Sequence, residues 1–291
     1  MAESDRAQVQ RLLASHGISL RKSLGQNLLV DREVLHAIAD AAAQGMSGAA
    51  ALEIGPGAGG LTDLLLDRFT DVLAIEKDQR LLPLLREVFA QRPGLRLLSA
   101  DATRVNYRQV LETAFGDRPV AVVANLPYYV TTPILMRLLE ADVRWARLVL
   151  MVQREVAERI VAPPGGKDYG ALTLAVRYAA QAEIVLDVLR TSFLPQPGVD
   201  SAVLRLVPRT EPVTVARSTF AKVVAAAFAQ RRKMIANSLA SALPGATREQ
   251  VELALSSADI DGRRRAETLS FHEFTALASA CSTMVGEIQP E

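Results

Sequence analysis

The stretch that most constrains this chain is Gly55, Pro56, Gly57, Ala58, Gly59 and Gly60, which follows the apolar run Ala50 to Ile54 and precedes a helical pattern from Leu61 to Arg68. Glycines so placed let the backbone turn sharply from a strand into a helix and approach a ligand closely, the opening of a doubly wound α/β sheet. A tight turn with no ligand is the plain alternative. Two acids bear on what such a turn would hold. Glu53, two residues before the first glycine, sets a carboxylate where a pyrophosphate would be repelled and an ammonium or sulfonium welcomed. The strand Val72 to Ile75 ends at Glu76, twenty-one residues after Gly55, where an acid can take both ribose hydroxyls. Together they favour S-adenosylmethionine over a nicotinamide dinucleotide, the other reading of Glu76 being an incidental surface acid.

The pattern then repeats. A helix over Arg80 to Gln91 leads to the strand Leu95 to Ser99, which runs through Ala100 to Asp101; this acid can accept from an adenine amino group or cap the residues that follow. The next apolar run, Val120 to Ala124, delivers Asn125, Leu126, Pro127 and Tyr128 to a strand's carboxyl edge, where ligands bind in open α/β sheets. A flipped purine fits there: the Asn125 oxygen and the carbonyl before or at Pro127 can accept both hydrogens of an exocyclic amine, and Tyr128 offers a stacking face. A strand followed by a proline turn, with Asn capping and Tyr packing, is the competing reading. Further on, Thr131 to Glu140 reads as a helix, Arg147 to Val152 as a buried strand and Gln153 to Val161 as a helix. Ala182 to Leu189 and Ser201 to Pro208 read as the last strands.

At 291 residues, with 49% hydrophobic and 22% charged, the chain suits one large domain and one small one. Its acidic amino terminus suits neither a signal nor a transit peptide, and no apolar run is long enough to span a bilayer, so a cytoplasmic location with no membrane contact is expected. One cysteine and three scattered histidines offer neither a disulfide nor a ligand cluster, so no metal is expected. Net charge is only +1, which leaves any polyanion to be met by local patches. Two acid-free stretches qualify: Arg6 to Val30 with four basic side chains, and Pro212 to Arg248 with six. In the first, Lys22 to Asn27 forms a polar loop, suited to fold over a ligand, before a helix capped by Asp31. In the second, the pattern has changed to helices only. Phe220, Val223, Val224, Ala227 and Phe228 make one apolar face, and Gln230, Arg231, Arg232 and Lys233 continue the helix. Another cluster, Arg263 to Arg265, follows. Guanidinium groups suit phosphates, though solvated faces explain most such runs.

Taken together, Lys22 to Leu28, Glu53 to Gly57, Glu76, Asp101, Asn125 to Tyr128, Phe193 to Val203, and Phe228 to Lys233 with Asn237 resemble the ribosomal RNA adenine N6-dimethyltransferases, and most closely the bacterial small-subunit (16S), or KsgA/RsmA, family. The resemblance implies an α/β fold: a Rossmann-like S-adenosylmethionine-dependent methyltransferase sheet over residues 1–210, whose first 30 residues cover cofactor and RNA, with a smaller all-helical RNA-binding domain over 211–291. It implies a base pocket of Asn125, Leu126, Pro127, Tyr128 and Phe193, with Phe193 packing on the base opposite Tyr128. S-adenosyl-L-methionine would contact Gln26, Asn27, Leu28, Glu53, Gly55, Gly57, Glu76, Lys77, Asp101, Ala102 and Asn125, and RNA would contact Arg21, Lys22, Arg231, Arg232 and Lys233. The implied substrate is a pair of adjacent adenines in the 3′-terminal hairpin of small-subunit rRNA, on an immature subunit, met by a monomer. The rivals are a large-subunit rRNA methyltransferase of the resistance type, a DNA adenine methyltransferase, and a ribosome-assembly factor with secondary catalysis. This chain departs from the family pattern at Tyr129 (usually Asn), Leu28 (usually Phe) and Ala100 (usually Gly).

Overall fold

In the computed structural model, which describes residues 5–21, 25–140 and 145–285, the chain forms two compact units. One comprises Met1–Ala157 and Ala182–Pro208, the other Glu158–Gln181 and Arg209–Glu291. The chain thus leaves the first unit once before the boundary expected near residue 210.

The first unit is built on a seven-stranded sheet. Its strands are β2 (Ala50–Ile54), β3 (Val72–Glu76), β4 (Leu95–Ser99), β5 (Val120–Asn125), β6 (Trp145–Gln153), β7 (Ala180–Val188) and β9 (Ser201–Pro208), in the order β4-β3-β2-β5-β6-β9-β7. The pairs from β4 to β6 are parallel and β6 meets β9 antiparallel. Every residue of β2 and β3 is buried. Helices cover both faces of such strands, which is why they read as unbroken apolar runs. The chain order crosses over from β4 to β5, leaving the carboxyl ends of β2, β3, β4 and β5 along one edge.

Local sequence places the helices between them. Asp31 caps α2 (Arg32–Ala43), accepting from the Val34 N–H at 3.3 Å, and its other oxygen accepts from the Ser192 hydroxyl at 2.9 Å. In α2, Leu35, Ile38, Ala39 and Ala42 are buried at helical spacing against the sheet. α3 (Gly60–Leu66) starts directly on the glycine turn, α4 (Leu81–Val88) buries Leu81, Leu82, Leu84 and Leu85, and α5 (Tyr107–Phe115), α6 (Thr131–Glu140) and α7 (Arg154–Val161) follow in chain order. α1 (Asp5–Ser15) packs Leu13 onto α4's leucines. β1 (Leu28–Leu29) pairs antiparallel with β8 (Phe193–Leu194), so the amino-terminal segment is tied to the connection before β9.

The second unit is helical in its described carboxyl-terminal part: α9 (Arg217–Phe228), α10 (Ile235–Ala242), α11 (Arg248–Ser257), α12 (Phe271–Ala280) and α13 (Ser282–Val285), with α8 (Ala171–Ala179) contributing from the earlier segment. Phe220, Val223, Val224 and Ala227 of α9 are buried as their spacing predicts, and Phe228 stacks on Phe274 with centroids 5.8 Å apart. Capping boxes begin α11 at Thr247 with Gln250 and α12 at Ser270 with Glu273. One expectation is corrected: α9 ends at Phe228, so Gln230 to Lys233 form a turn and not a continued helix. The turn is stabilised where the Gln230 N–H reaches the Ser238 hydroxyl at 3.3 Å.

Candidate active site

One cavity gathers most of the expected residues. Its wall is formed by Gly25 to Leu28, by Gly55 and Gly57, by Glu76, Lys77 and Asp78 after β3, by Ala100 to Thr103 after β4, by Asn125 to Val130 after β5, and by Phe193. Gln26, Asn27, Leu28, Gly55, Gly57, Glu76, Lys77, Asp101, Ala102, Asn125, Leu126, Pro127, Tyr128 and Phe193 therefore meet in one place. Gly57 has φ +58°, and a Cβ there would stand 2.6 Å from Leu28 Cδ2, so a side chain would close the passage between the turn and the covering segment.

Within the wall, Asn125 donates its Nδ2 hydrogen to the Asn27 carbonyl at 3.1 Å. That bond orients the carboxamide and leaves its oxygen as an acceptor. The two backbone candidates also separate. Pro127's carbonyl accepts from the Val130 N–H at 3.0 Å and the Thr131 hydroxyl at 3.3 Å, whereas the Leu126 carbonyl accepts none of the backbone bonds of the described turns and loops. Beside the Asn125 side-chain oxygen, the Leu126 carbonyl is thus the one with no donor among the described hydrogen bonds. Tyr128 is half-buried with its hydroxyl 2.9 Å from Ser201 Oγ, and burial raises its pKa; Phe193 is fully buried.

The acids differ in state. Glu76 is buried, which raises its pKa, while backbone N–H groups of Asp78, Gly57 and Lys77 pull the other way; the Asp78 N–H lies 2.7 Å from Oε1. Asp101 pairs with Lys77 Nζ at 2.9 Å and accepts from the Thr103 hydroxyl and N–H, which hold its pKa down at about 2. Glu53 does not line this cavity. It lines a second one that shares Leu28, Gly55, Gly57 and Asn125 with the first. Its side chain is 1% exposed, accepts from the Thr62 hydroxyl at 2.6 Å, and is pushed up to about 8, chiefly by burial. Burial with a single hydroxyl partner thus favours the protonated form of Glu53 and works against the negative charge expected there from sequence. Because the folded pKa lies above the ordinary 4.5, Glu53's contribution to stability is full below pH 4.5 and is lost as pH rises through about 8. Glu53→Gln, which copies the neutral form, is expected to flatten the fall in denaturation midpoint between those limits, as urea titrations at several pH values would measure.

Sequence reasoning passed over Asp78. Its carboxylate is buried and accepts from Arg80 Nε at 2.9 Å, Arg80 Nη2 at 2.6 Å and Gln26 Nε2 at 2.9 Å, while Gln26 Oε1 takes the Arg21 N–H at 2.8 Å and Arg80 Nη1 reaches the Ser19 carbonyl at 3.2 Å. The Arg80 guanidinium, above all, holds Asp78 at about 2. Asp78 and Arg80 so clasp the covering segment to the end of β3. The only signal in sequence was their position just after Glu76. Asp78→Asn keeps one acceptor oxygen and turns an NH₂ against the donors on the other, so at least one charge-assisted bond worth about 1.5–3 kcal/mol is lost from the clasp. The cofactor Kd should rise about tenfold on that scale, as calorimetry would detect.

Arg21 is exposed at the start of the covering segment, and Lys22 lies outside the described residues. In the other unit Arg231, Arg232 and Lys233 are all exposed, but the cluster divides by partner: Arg231 Nη2 donates to the carbonyls of Lys167 at 2.7 Å and Tyr169 at 3.2 Å and lies 3.4 Å from Glu267, whereas no side-chain bond is described for Arg232 or Lys233. Arg264 is likewise engaged, by Glu273 and the Thr268 carbonyl, and Arg263 by Asp261. Among the described residues no cluster of three or more His, Cys, Asp or Glu is placed to hold a metal ion, and no helix is long and apolar enough to cross a membrane.

The cavity's chemistry fits S-adenosylmethionine. Glu76, Asp78 and Asp101 line it with Lys77 as the lysine among them, a balance that disfavours a dinucleotide's phosphates and suits a cationic sulfonium with its ribose and adenine. Known proteins share this sequence pattern and fold. The sequence model of the family described as ribosomal RNA adenine dimethylase matches residues 17–279. A ribosomal RNA small subunit methyltransferase A from Geobacillus thermodenitrificans is 47% identical over 277 residues, 93% of this chain and 94% of that protein. Its counterpart from Geobacillus kaustophilus is 44% identical over 283 residues, 96% of each. Among solved structures, the 23S rRNA methyltransferase ErmE is similar with a TM-score of 0.68 and 29% identity, over 87% of this chain and 98% of that one. A dimethyladenosine transferase from Plasmodium falciparum shares the fold with a TM-score of 0.76 at 24% identity, over 86% of this chain and 95% of that one. With the glycine turn, the strand-end acids and the Asn125 to Tyr128 edge brought together on this sheet, and the match running through both units, the chain belongs to the ribosomal RNA adenine dimethylase family and is an rRNA adenine dimethyltransferase.

Proposed function

We propose that the chain dimethylates N6 of two adjacent adenines in the 3′-terminal hairpin of small-subunit (16S) rRNA, on immature subunits in the cytoplasm, acting as a monomer with a role in ribosome biogenesis. The observation that carries the chemistry is the Asn125 carboxamide, whose Nδ2 is committed to Asn27, beside the Leu126 carbonyl. These two oxygens accept the N6 hydrogens of a base held between Tyr128 and Phe193. The N6 lone pair is otherwise delocalised into the purine ring, so holding the amine pyramidal exposes it and stabilises the positive charge that grows on nitrogen. S-adenosylmethionine, when bound, supplies an electrophilic methyl on a sulfonium whose bonding pair stays on sulfur. Gln26, Asn27, Leu28, Gly55 and Gly57 hold its amino-acid end, Glu76 with Lys77 the ribose, and Asp101 with Ala102 the adenine. Neighbouring Glu53 is assigned to the amino-acid end through the second cavity. N6 sheds one proton per transfer, and a second round completes the dimethyl product.

The small-subunit reading draws on relatives of that name at 44–47% identity, against 29% for the large-subunit enzyme. Methyl transfer to immature small subunits, large-subunit RNA and duplex DNA, measured side by side, tests it. Methylation confined to the small subunit is expected; a faster rate on either of the others would overturn it.

The helical unit over 211–291 is assigned to RNA, with Arg21 and Lys22 contributing from the amino terminus. Arg232 and Lys233 are its free phosphate ligands. Each neutralised phosphate adds about 0.7–0.9 to the slope of log affinity against log salt. Replacing both with alanine should flatten that slope by about 1.4–1.8. Arg231→Ala should leave the slope unchanged and lower the melting temperature instead, since Arg231 holds Lys167 and Tyr169. Subunit binding across a salt series, with thermal melts of each variant, checks both halves.

A further inference from the structure

A base drawn out of its stack leaves its neighbour with one face bare. At the mouth of the cavity stands an aromatic ring placed to cover such a face. Tyr128 and Tyr129 are consecutive in a 3-10 turn (Tyr128–Val130), where successive side chains diverge by about 120°. Tyr128 turns inward to Ser201, and Tyr129 turns outward: it lines the cavity yet is 57% exposed, the most exposed aromatic of the described large hydrophobics. One edge of its ring lies over Gly25, where a Cβ would sit 3.0 Å from Tyr129 Cε1, so the missing side chain lets the ring rest on the covering segment. Lys77 lines the same wall, its Nζ paired with Asp101 at 2.9 Å.

We propose that Tyr129 is a stacking platform for the nucleotide next to the target adenine, and so a specificity-determining residue. The inference rests on the base pocket assigned above. In a substrate with two adjacent adenines, the stacked base is the second adenine while the first is methylated. A purine covers a tyrosine ring more fully than a pyrimidine, so the site discriminates by the size of the neighbour and not by hydrogen bonds to its edge. A polar residue at this position would forgo that discrimination.

The test is a two-by-two cycle under single-turnover conditions, on whichever rRNA fragment the wild-type enzyme methylates, with the flanking nucleotide present or abasic. Tyr129→Leu should lower kcat/KM by about 5- to 150-fold when the flanking base is present, the range for one lost base–aromatic stack. On the abasic fragment it should cost little more, because the partner is already gone. Tyr129→Phe should recover most of the rate lost in Tyr129→Leu, since the ring and not the hydroxyl stacks. Calorimetric cofactor affinity should be equal in Tyr129→Leu and wild type. Equal losses on both fragments, or a fall in cofactor affinity matching the fall in kcat/KM, would make Tyr129 a mere prop for Gly25 and overturn the proposal. Wild-type inactivity on small-subunit fragments alone would instead count against the substrate assignment, since the cycle can be read on any methylated RNA.

Discussion

Asn125→Ala is expected to slow single-turnover methyl transfer by about 10²–10³, the scale of losing one preorganised group from a charge-stabilising site. Asn125 reaches the cavity from the last residue of β5, whose neighbours β2 and β6 hold the backbone in register on both sides. Its amide nitrogen is fixed on Asn27, so the oxygen points with little freedom left. Alanine removes the oxygen and also releases the covering segment at Asn27. Asn125→Asp separates those effects: it restores acceptors to the pocket but cannot donate to the Asn27 carbonyl, so its rate should fall as well, through misplacement. Rapid-quench measurement at saturating cofactor decides the matter. A rate for Asn125→Ala within a few-fold of wild type would remove this residue from the amine's coordination and transfer its role to the backbone.

Much of this site could be read in advance because the information is local. A strand, a glycine turn and an acid at the next strand's end follow one another within about a helix and two strands of chain, and the parallel sheet brings those ends to one edge by its own topology. Glu76, Asp101 and Asn125 were placed by that logic, and β2, β4 and β9 begin and end where their apolar runs do. What escaped depends on contacts between distant residues. The charge of Glu53 is decided by how completely α3 and the sheet exclude water, which no neighbouring residue announces. The choice between the Leu126 and Pro127 carbonyls is decided by a turn that consumes one of them. Arg231 looks like its neighbours in sequence, and only the return of the chain at Lys167 and Tyr169 gives its guanidinium partners. Asp78 went unread for the same reason: two of its partners, Gln26 and Arg80, lie 52 residues upstream and two downstream, and only the fold closes that clasp.

Glu76 carries the second large expectation. Its side chain is 7% exposed, and its Oε1 already takes the Asp78 N–H at 2.7 Å, so the carboxylate stands as a fixed acceptor at the end of β3. Ribose hydroxyls donate to it with their hydrogens. Losing one hydrogen bond to a charged acceptor costs about 1.5–3 kcal/mol, the scale taken for the hydroxyl that water does not replace. Glu76→Ala should therefore weaken S-adenosylmethionine binding by about 10- to 150-fold, at about 1.4 kcal/mol for each factor of ten, while RNA binding stays near wild type. Glutamine is no rescue. It puts an NH₂ group where backbone N–H groups of Asp78, Gly57 and Lys77 also point, and donors facing donors hold nothing. The wild-type site should be pH-sensitive in one direction only. Burial raises the Glu76 pKa, and only the ionised form accepts with both oxygens, so affinity should fall as pH drops toward that raised value and level off above it. Calorimetric titrations of wild type, Glu76→Ala and Glu76→Gln across pH test the three statements together. An alanine variant that binds the cofactor as wild type does would take the ribose contact away from Glu76 and leave the backbone of the β3 turn to supply it.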